Sequence, residues 1–139
     1  MERLTWIGML GAAIVAVALL AGCAPNTARG SAQAGAFRQV SATEAQELME
    51  SEEGYIILDV RTQREYDSGH IPGAICVPNE TIGSSDPQEL PDKDQLILVY
   101  CRSGNRSVQA ARKLAKLGYS NIVEFGGINS WPGDIERSS

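Results

Sequence analysis

Two continuous apolar runs of strand length, Tyr55-Ile-Ile-Leu-Asp-Val60 and Leu96-Ile-Leu-Val-Tyr100, constrain the fold more than any other feature. A run without alternation reads as a strand buried on both faces, and such strands occur where helices cover both sides of a parallel sheet. The segments between the runs carry helix signals. Ser41-Ala-Thr-Glu44 is a capping-box pattern, opening a helix that uses Leu48 and Met49 and ends near Glu50. Thr62 to Tyr66 reads as a helical turn stopped at Ser68-Gly69. After Tyr100, the residues Val108, Ala111, Leu114 and Leu117 fall on one side of a helix that Gly118 ends. Phe37–Val40, Ala74–Val77 and Ile122–Phe125 read as shorter strands. Gly126-Gly127 punctuates the last of these before a terminal helix around Ile128 to Trp131, and Asn79 to Asp94 reads as a loop with room for one helical turn. Strands alternating with helices predict parallel pairing.

The amino-terminal segment has a separate logic. Residues 4–24 carry no charge, and Arg3 precedes an apolar run from Leu4 to Leu20 that closes at Leu20-Ala21-Gly22-Cys23. A secretory signal has this shape. The four closing residues resemble the lipobox of bacterial lipoproteins, which implies that residues 1–22 are removed and Cys23 is lipidated. The other reading is an uncleaved anchor, since about 20 apolar residues span a bilayer. Small residues abut a cysteine where an anchor needs none, which favours the lipoprotein. Both readings predict a domain outside the cytoplasm, tethered to a membrane. Residues 23–36, built from Ala, Gly, Ser, Asn, Thr, Pro and Gln with Arg29, read as a flexible linker, and the folded domain is expected over 37–136.

Charge and cysteine count exclude several classes of function. A chain of 139 residues with 12 Lys+Arg against 17 Asp+Glu has a net charge of −5, which leaves no electrostatic footprint for nucleic acid. With 3 Cys and 1 His, neither a disulfide scaffold nor a four-ligand zinc site is easily built. No metal or organic cofactor is expected.

The chemistry concentrates in Tyr100-Cys101-Arg-Ser-Gly-Asn-Arg106-Ser107, between a buried strand and a helix. Backbone N–H groups at such a junction converge on one point, where the helix N-terminus favours negative charge and Gly104 lets the chain turn. A thiolate there is stabilised by the dipole and by Arg102 and Arg106, so Cys101 reads as a nucleophile that needs no histidine base. Buried inert cysteines are common. Two guanidinium groups and a glycine turn serve packing poorly, however, and favour the functional reading.

Three blocks carry a resemblance to the single-domain rhodaneses. They are Leu58-Asp-Val-Arg61 with Glu65-Tyr66 and Gly69-His-Ile-Pro-Gly-Ala74; Val99-Tyr-Cys-Arg-Ser-Gly-Asn-Arg-Ser107; and Leu117-Gly-Tyr with Gly126-Gly-Ile and Trp131. The resemblance implies a three-layer α/β domain with a central parallel sheet of about five strands flanked by helices. It also implies a sulfurtransferase of the thiosulfate type, in which Cys101 takes sulfane sulfur as a persulfide and passes it to cyanide, a thiol or a partner protein. Arg102, Ser103, Gly104, Asn105 and Arg106 then form the substrate cradle, with Ser107 capping the helix that follows. The spacing Cys-x4-Arg resembles sulfur-transferring members, whereas related phosphatases and arsenate reductases use Cys-x5-Arg. A single terminal sulfur suits the tighter ring. The alternatives are a membrane-tethered persulfide carrier and a thiol redox protein pairing Cys76 with Cys101.

Asp59 and Arg61 lie at the same sheet edge as Cys101 and read as supporting residues, a buttress rather than a substrate contact. Some thiosulfate-specialised rhodaneses carry Arg at the position matching Glu65, so Glu65 predicts repulsion of thiosulfate. His70 reads as a turn-stabilising residue, and Cys76 as apolar filler with a resolving-thiol role as the minority reading. Trp131 fits either the core or a lid over the loop.

Overall fold

The computed structural model describes residues 36–139. The signal-peptide segment, Cys23 and the rest of the linker up to residue 35 lie outside them. Five parallel strands form one sheet in the order β1-β5-β4-β2-β3. In chain order they are β1 (Arg38–Gln39), β2 (Ile56–Asp59), β3 (Ile75–Cys76), β4 (Ile97–Cys101) and β5 (Ile122–Gly127). Three α-helices, α1 (Ala42–Ser51), α2 (Gln63–Ser68) and α3 (Asn105–Lys116), make the crossovers. Two single 3₁₀ turns complete the elements, Asn79–Thr81 and Ile128–Ser130. The expected α/β layering is therefore observed, while the terminal helix shrinks to the second of these turns.

The apolar runs work as two-faced strands because neighbouring side chains point to opposite sides. Leu58, Ile97 and Val99 face α3 and pack with Ala110, Ala111 and Leu114. Ile57, Leu98 and Tyr100 face the other way and pack with Ala45 of α1 and Phe125. Trp131 joins this second face, its ring 5.6 Å from that of Phe125, so it belongs to the core opposite α3.

Two capping boxes start helices on that second face. Ser41 and Glu44 cap α1 reciprocally, as its sequence pattern predicts. Thr62 and Glu65 do the same for α2, which is a full helix of 6 residues rather than a lone turn.

The carboxyl ends of β4 and β5 differ from simple strands. Val99 pairs with Glu124 but Cys101 pairs with Gly127, so β5 carries one extra residue and bulges. This carries β5 through both glycines. A Cβ at Gly127 would run into the backbone carbonyl of Arg102, so the close approach of β5 to the following loop requires glycine there.

Candidate active site

Cys101 is the last residue of β4 and is 1% exposed. The chain then turns through Arg102, Ser103 and Gly104 and enters α3 at Asn105. Gly104 makes the turn at φ 109°, a left-handed conformation costly for other residues, and it is the residue that precedes the helix. Ser107 is therefore not the helix cap expected from the sequence. It sits in the first turn of α3, where its hydroxyl is drawn to partners at the sheet edge, and the helix start has no side-chain cap. The unsatisfied N–H groups of that start are turned toward Cys101 instead.

The thiol is held from several sides. The N–H of Gly104 donates to Sγ at 3.0 Å, and the thiol donates to Ser107 Oγ at 3.4 Å. Burial alone raises the Cys101 thiol. Hydrogen bonding with the Ser107 hydroxyl and from the N–H groups of Ser107, Gly104 and Ser103 outweighs it and leaves the thiol below its ordinary range. Arg102, Ser103 and Asn105 are exposed around the mouth of this loop.

Arg106 is not a free anion ligand. Its guanidinium makes a bidentate pair with Glu65, at 2.8 and 2.7 Å. Arg106 and the Thr62 cap together hold the Glu65 carboxyl down to about 2. The expected repulsion of thiosulfate by Glu65 is thus corrected: its charge is neutralised, and it ties α2 to the loop.

Asp59 and Arg61 form a buried buttress. Arg61 Nη2 donates to Asp59 at 2.6 Å and to the Gly69 carbonyl at 2.7 Å. Tyr100 donates to Asp59 at 2.7 Å while accepting from the Ile71 N–H at 3.1 Å. Asp59 and Tyr100 are register partners, so this network lies on the sheet face opposite Cys101 and steadies the Gly69–Ile71 segment. His70 completes that segment by stacking on Tyr66 at 3.7 Å and bonding the Tyr66 carbonyl and Glu136.

Cys76 is also a register partner of Asp59, which places it two strands from β4 and on the face away from Cys101. At about 4.8 Å per strand the two Cα atoms are about 10 Å apart, beyond the span of a disulfide. Burial pushes the Cys76 thiol up to about 11, so it is also a poor nucleophile. Among the described residues, no group of three or more His, Cys, Asp or Glu is gathered to hold a metal.

Glu124 was not singled out from sequence. It is 3% exposed on β5, and its carboxylate accepts from Ser107 Oγ at 2.6 Å, the bulge N–H of Gly126 at 2.8 Å and Gln39 Nε2 at 3.0 Å. The available signal was a charge inside the apolar strand Ile122-Val-Glu-Phe125, since a buried carboxylate needs dedicated partners.

Fold and loop together define an α/β domain that presents one cysteine in an anion-cradling turn. The chain belongs to the Rhodanese-like domain family, whose profile matches residues 41–134. It is 34% identical over 71 residues to the thiosulfate sulfurtransferase PspE of Escherichia coli, covering 51% of this chain and 68% of PspE. It is 35% identical over 105 residues to the adenylyltransferase and sulfurtransferase UBA4 of Candida albicans, covering 70% of this chain. The chain spans about a quarter of UBA4 (24%). A crystal structure of a rhodanese-like domain protein from Staphylococcus aureus superposes with a TM-score of 0.63 at 28% identity, covering 73% of this chain and 99% of that one.

Proposed function

We propose that this chain is a sulfurtransferase that moves sulfane sulfur from a donor such as thiosulfate to a thiol or cyanide through a persulfide on Cys101. The observation that carries this reading is the Cys101 sulfur seated in a six-residue Cys-x4-Arg turn, with the Gly104 N–H at 3.0 Å. Membership of the rhodanese-like family and the similarity to PspE support it.

The chemistry follows from the turn. The Cys101 thiolate attacks the outer sulfur of the donor, a new S–S bond forms, and the donor's own bond breaks with its electron pair leaving on sulfite. The terminal sulfur of the persulfide then sits where backbone N–H groups point, so its negative charge is held without a bound cation. An acceptor attacks that sulfur, and Cys101 leaves as a thiolate stabilised by the same donors. Among the described residues, Arg106 is paired to Glu65 and Arg102 is exposed at the mouth, which suits a donor held mainly by backbone groups.

The lipobox-like Leu20-Ala21-Gly22-Cys23 supports an extracytoplasmic, membrane-anchored lipoprotein. Among the described residues no helix is long and apolar enough to cross a membrane. A lipid-bearing peptide beginning at Cys23, recovered from cell membranes, is the expected finding; an unmodified Cys23 inside an intact leader would contradict the lipoprotein reading.

Turnover tests the activity itself. With thiosulfate and cyanide, the full chain is expected to release thiocyanate and Cys101→Ser is expected to release none. Equal rates in the two proteins would refute the reading. A stable persulfide with slow release to cyanide would indicate a carrier that delivers sulfur to a partner protein.

A further inference from the structure

Ser107 has one proton and too many claims on it. Its hydroxyl lies 2.6 Å from the Glu124 carboxylate, 2.9 Å from the Gly104 carbonyl, 3.3 Å from the Gly126 carbonyl and 3.4 Å from the Cys101 sulfur. The short bond to Glu124 takes the proton, because a carboxylate is the strongest acceptor of the four. The remaining lone pairs of Ser107 Oγ then accept from the Cys101 thiol, which is the direction in which that contact is formed. A thiolate at Cys101 has the opposite need, a hydroxyl that donates. Ser107 serves the thiolate only by releasing Glu124.

We propose that Glu124 is a positioning residue for sulfur transfer, setting the ionisation of Cys101 through the hydroxyl of Ser107. While the Glu124 carboxylate holds the Ser107 proton, the Cys101 thiolate is stabilised by the loop N–H groups alone. When the carboxylate charge is removed, Ser107 turns its proton to sulfur and the thiolate is stabilised further. The inference rests on Cys101 being the nucleophile proposed above.

Among the described residues, few other charges stand close enough to do this. Glu124 is faced by Gln39 from β1, the Gly126 N–H of its own strand and Ser107 from α3, all neutral. Cys101 is faced by Ser107 and by the charge of Arg106, which Glu65 of α2 holds. The carboxylate and the sulfur are at most about 6 Å apart, the two hydrogen bonds laid end to end. Turning a hydroxyl donor from the carboxylate to a charged sulfur moves the sulfur's titration by about one to two pH units. Glu124 also has a purely structural role, since it satisfies the N–H of the β5 bulge. A role in positioning only that bulge would leave the titration of Cys101 unchanged, and this separates the two.

The test is the rate of Cys101 alkylation by iodoacetamide against pH. The full chain is digested afterwards, so that the Cys101 peptide is read apart from those of Cys23 and Cys76. Glu124→Gln, which keeps an acceptor for Gly126 but removes the charge, is expected to lower the Cys101 midpoint by about one to two pH units. In a Ser107→Ala background the same substitution is expected to give a smaller shift. A Glu124→Gln profile that overlays the wild type or moves upward would overturn the proposal, as would an undiminished shift without Ser107. Circular dichroism of each variant, read before the titration, separates a change of fold from a change at Cys101. Alkylation reads the thiolate whether or not sulfur is transferred, so these outcomes are independent of the turnover test.

Discussion

Replacing Glu65 by Gln isolates the charge that binds α2 to the active-site loop. The amide keeps an oxygen for the Thr62 N–H, so the capping box survives and the ion pair with Arg106 does not. The Glu65 carboxyl is held down from 4.5 to about 2, with the Arg106 hydrogen bonds as the leading cause. At 1.36 kcal/mol per pH unit that is about 3 kcal/mol of linkage at neutral pH. The side chains are 27% and 26% exposed, and solvent screening reduces the pair's worth to about 1–2 kcal/mol. A carboxyl depressed in the folded state contributes stability above pH 4.5 that is lost as pH falls toward 2. Urea denaturation of wild type and Glu65→Gln at pH 7 should therefore differ by about 1–2 kcal/mol, and the gap should close as pH falls toward 2. A gap that persists unchanged in acid would refute the ion pair as its source. No gap at pH 7 would show that the pair contributes nothing to stability.

Three further outcomes follow from the geometry. Tyr100→Phe removes the hydroxyl shared by Asp59 and the Ile71 N–H, and should destabilise the fold by about 1–3 kcal/mol in urea denaturation. Gly127→Ala forces β5 away from the Arg102 carbonyl, and should lower kcat/KM about tenfold or more while the chain remains folded by circular dichroism. Cys76→Ser should leave sulfur loading and turnover unchanged, and loss of either would restore the redox reading that the strand register argues against.

What the sequence revealed tracks the range over which each interaction acts. β2 and β4 were legible because unbroken apolar runs admit few other placements. The Cys101 turn was legible because strand, glycine and helix follow one another within a few residues. The Thr62–Glu65 box was also local, and its Thr-x-x-Glu spacing was present to be read. The partnerships that define the loop were not local. Arg106 meets Glu65 across 41 residues and Ser107 meets Glu124 across 17, and both depend on the order of strands in the sheet. A sequence pattern alone does not carry that order. Ser107 was misassigned as a cap for the same reason: its true partner comes from β5, beyond the reach of a rule about helix starts.

The most direct test of the central claim is the intact mass of the reduced full chain after exposure to thiosulfate, and separately to an organic persulfide. Sulfur transfer through Cys101 predicts a gain of one sulfur atom from at least one donor, absent in Cys101→Ser and removed by cyanide. No gain from either donor, with Cys101 still open to alkylation, would contradict it, as would the same gain in Cys101→Ser.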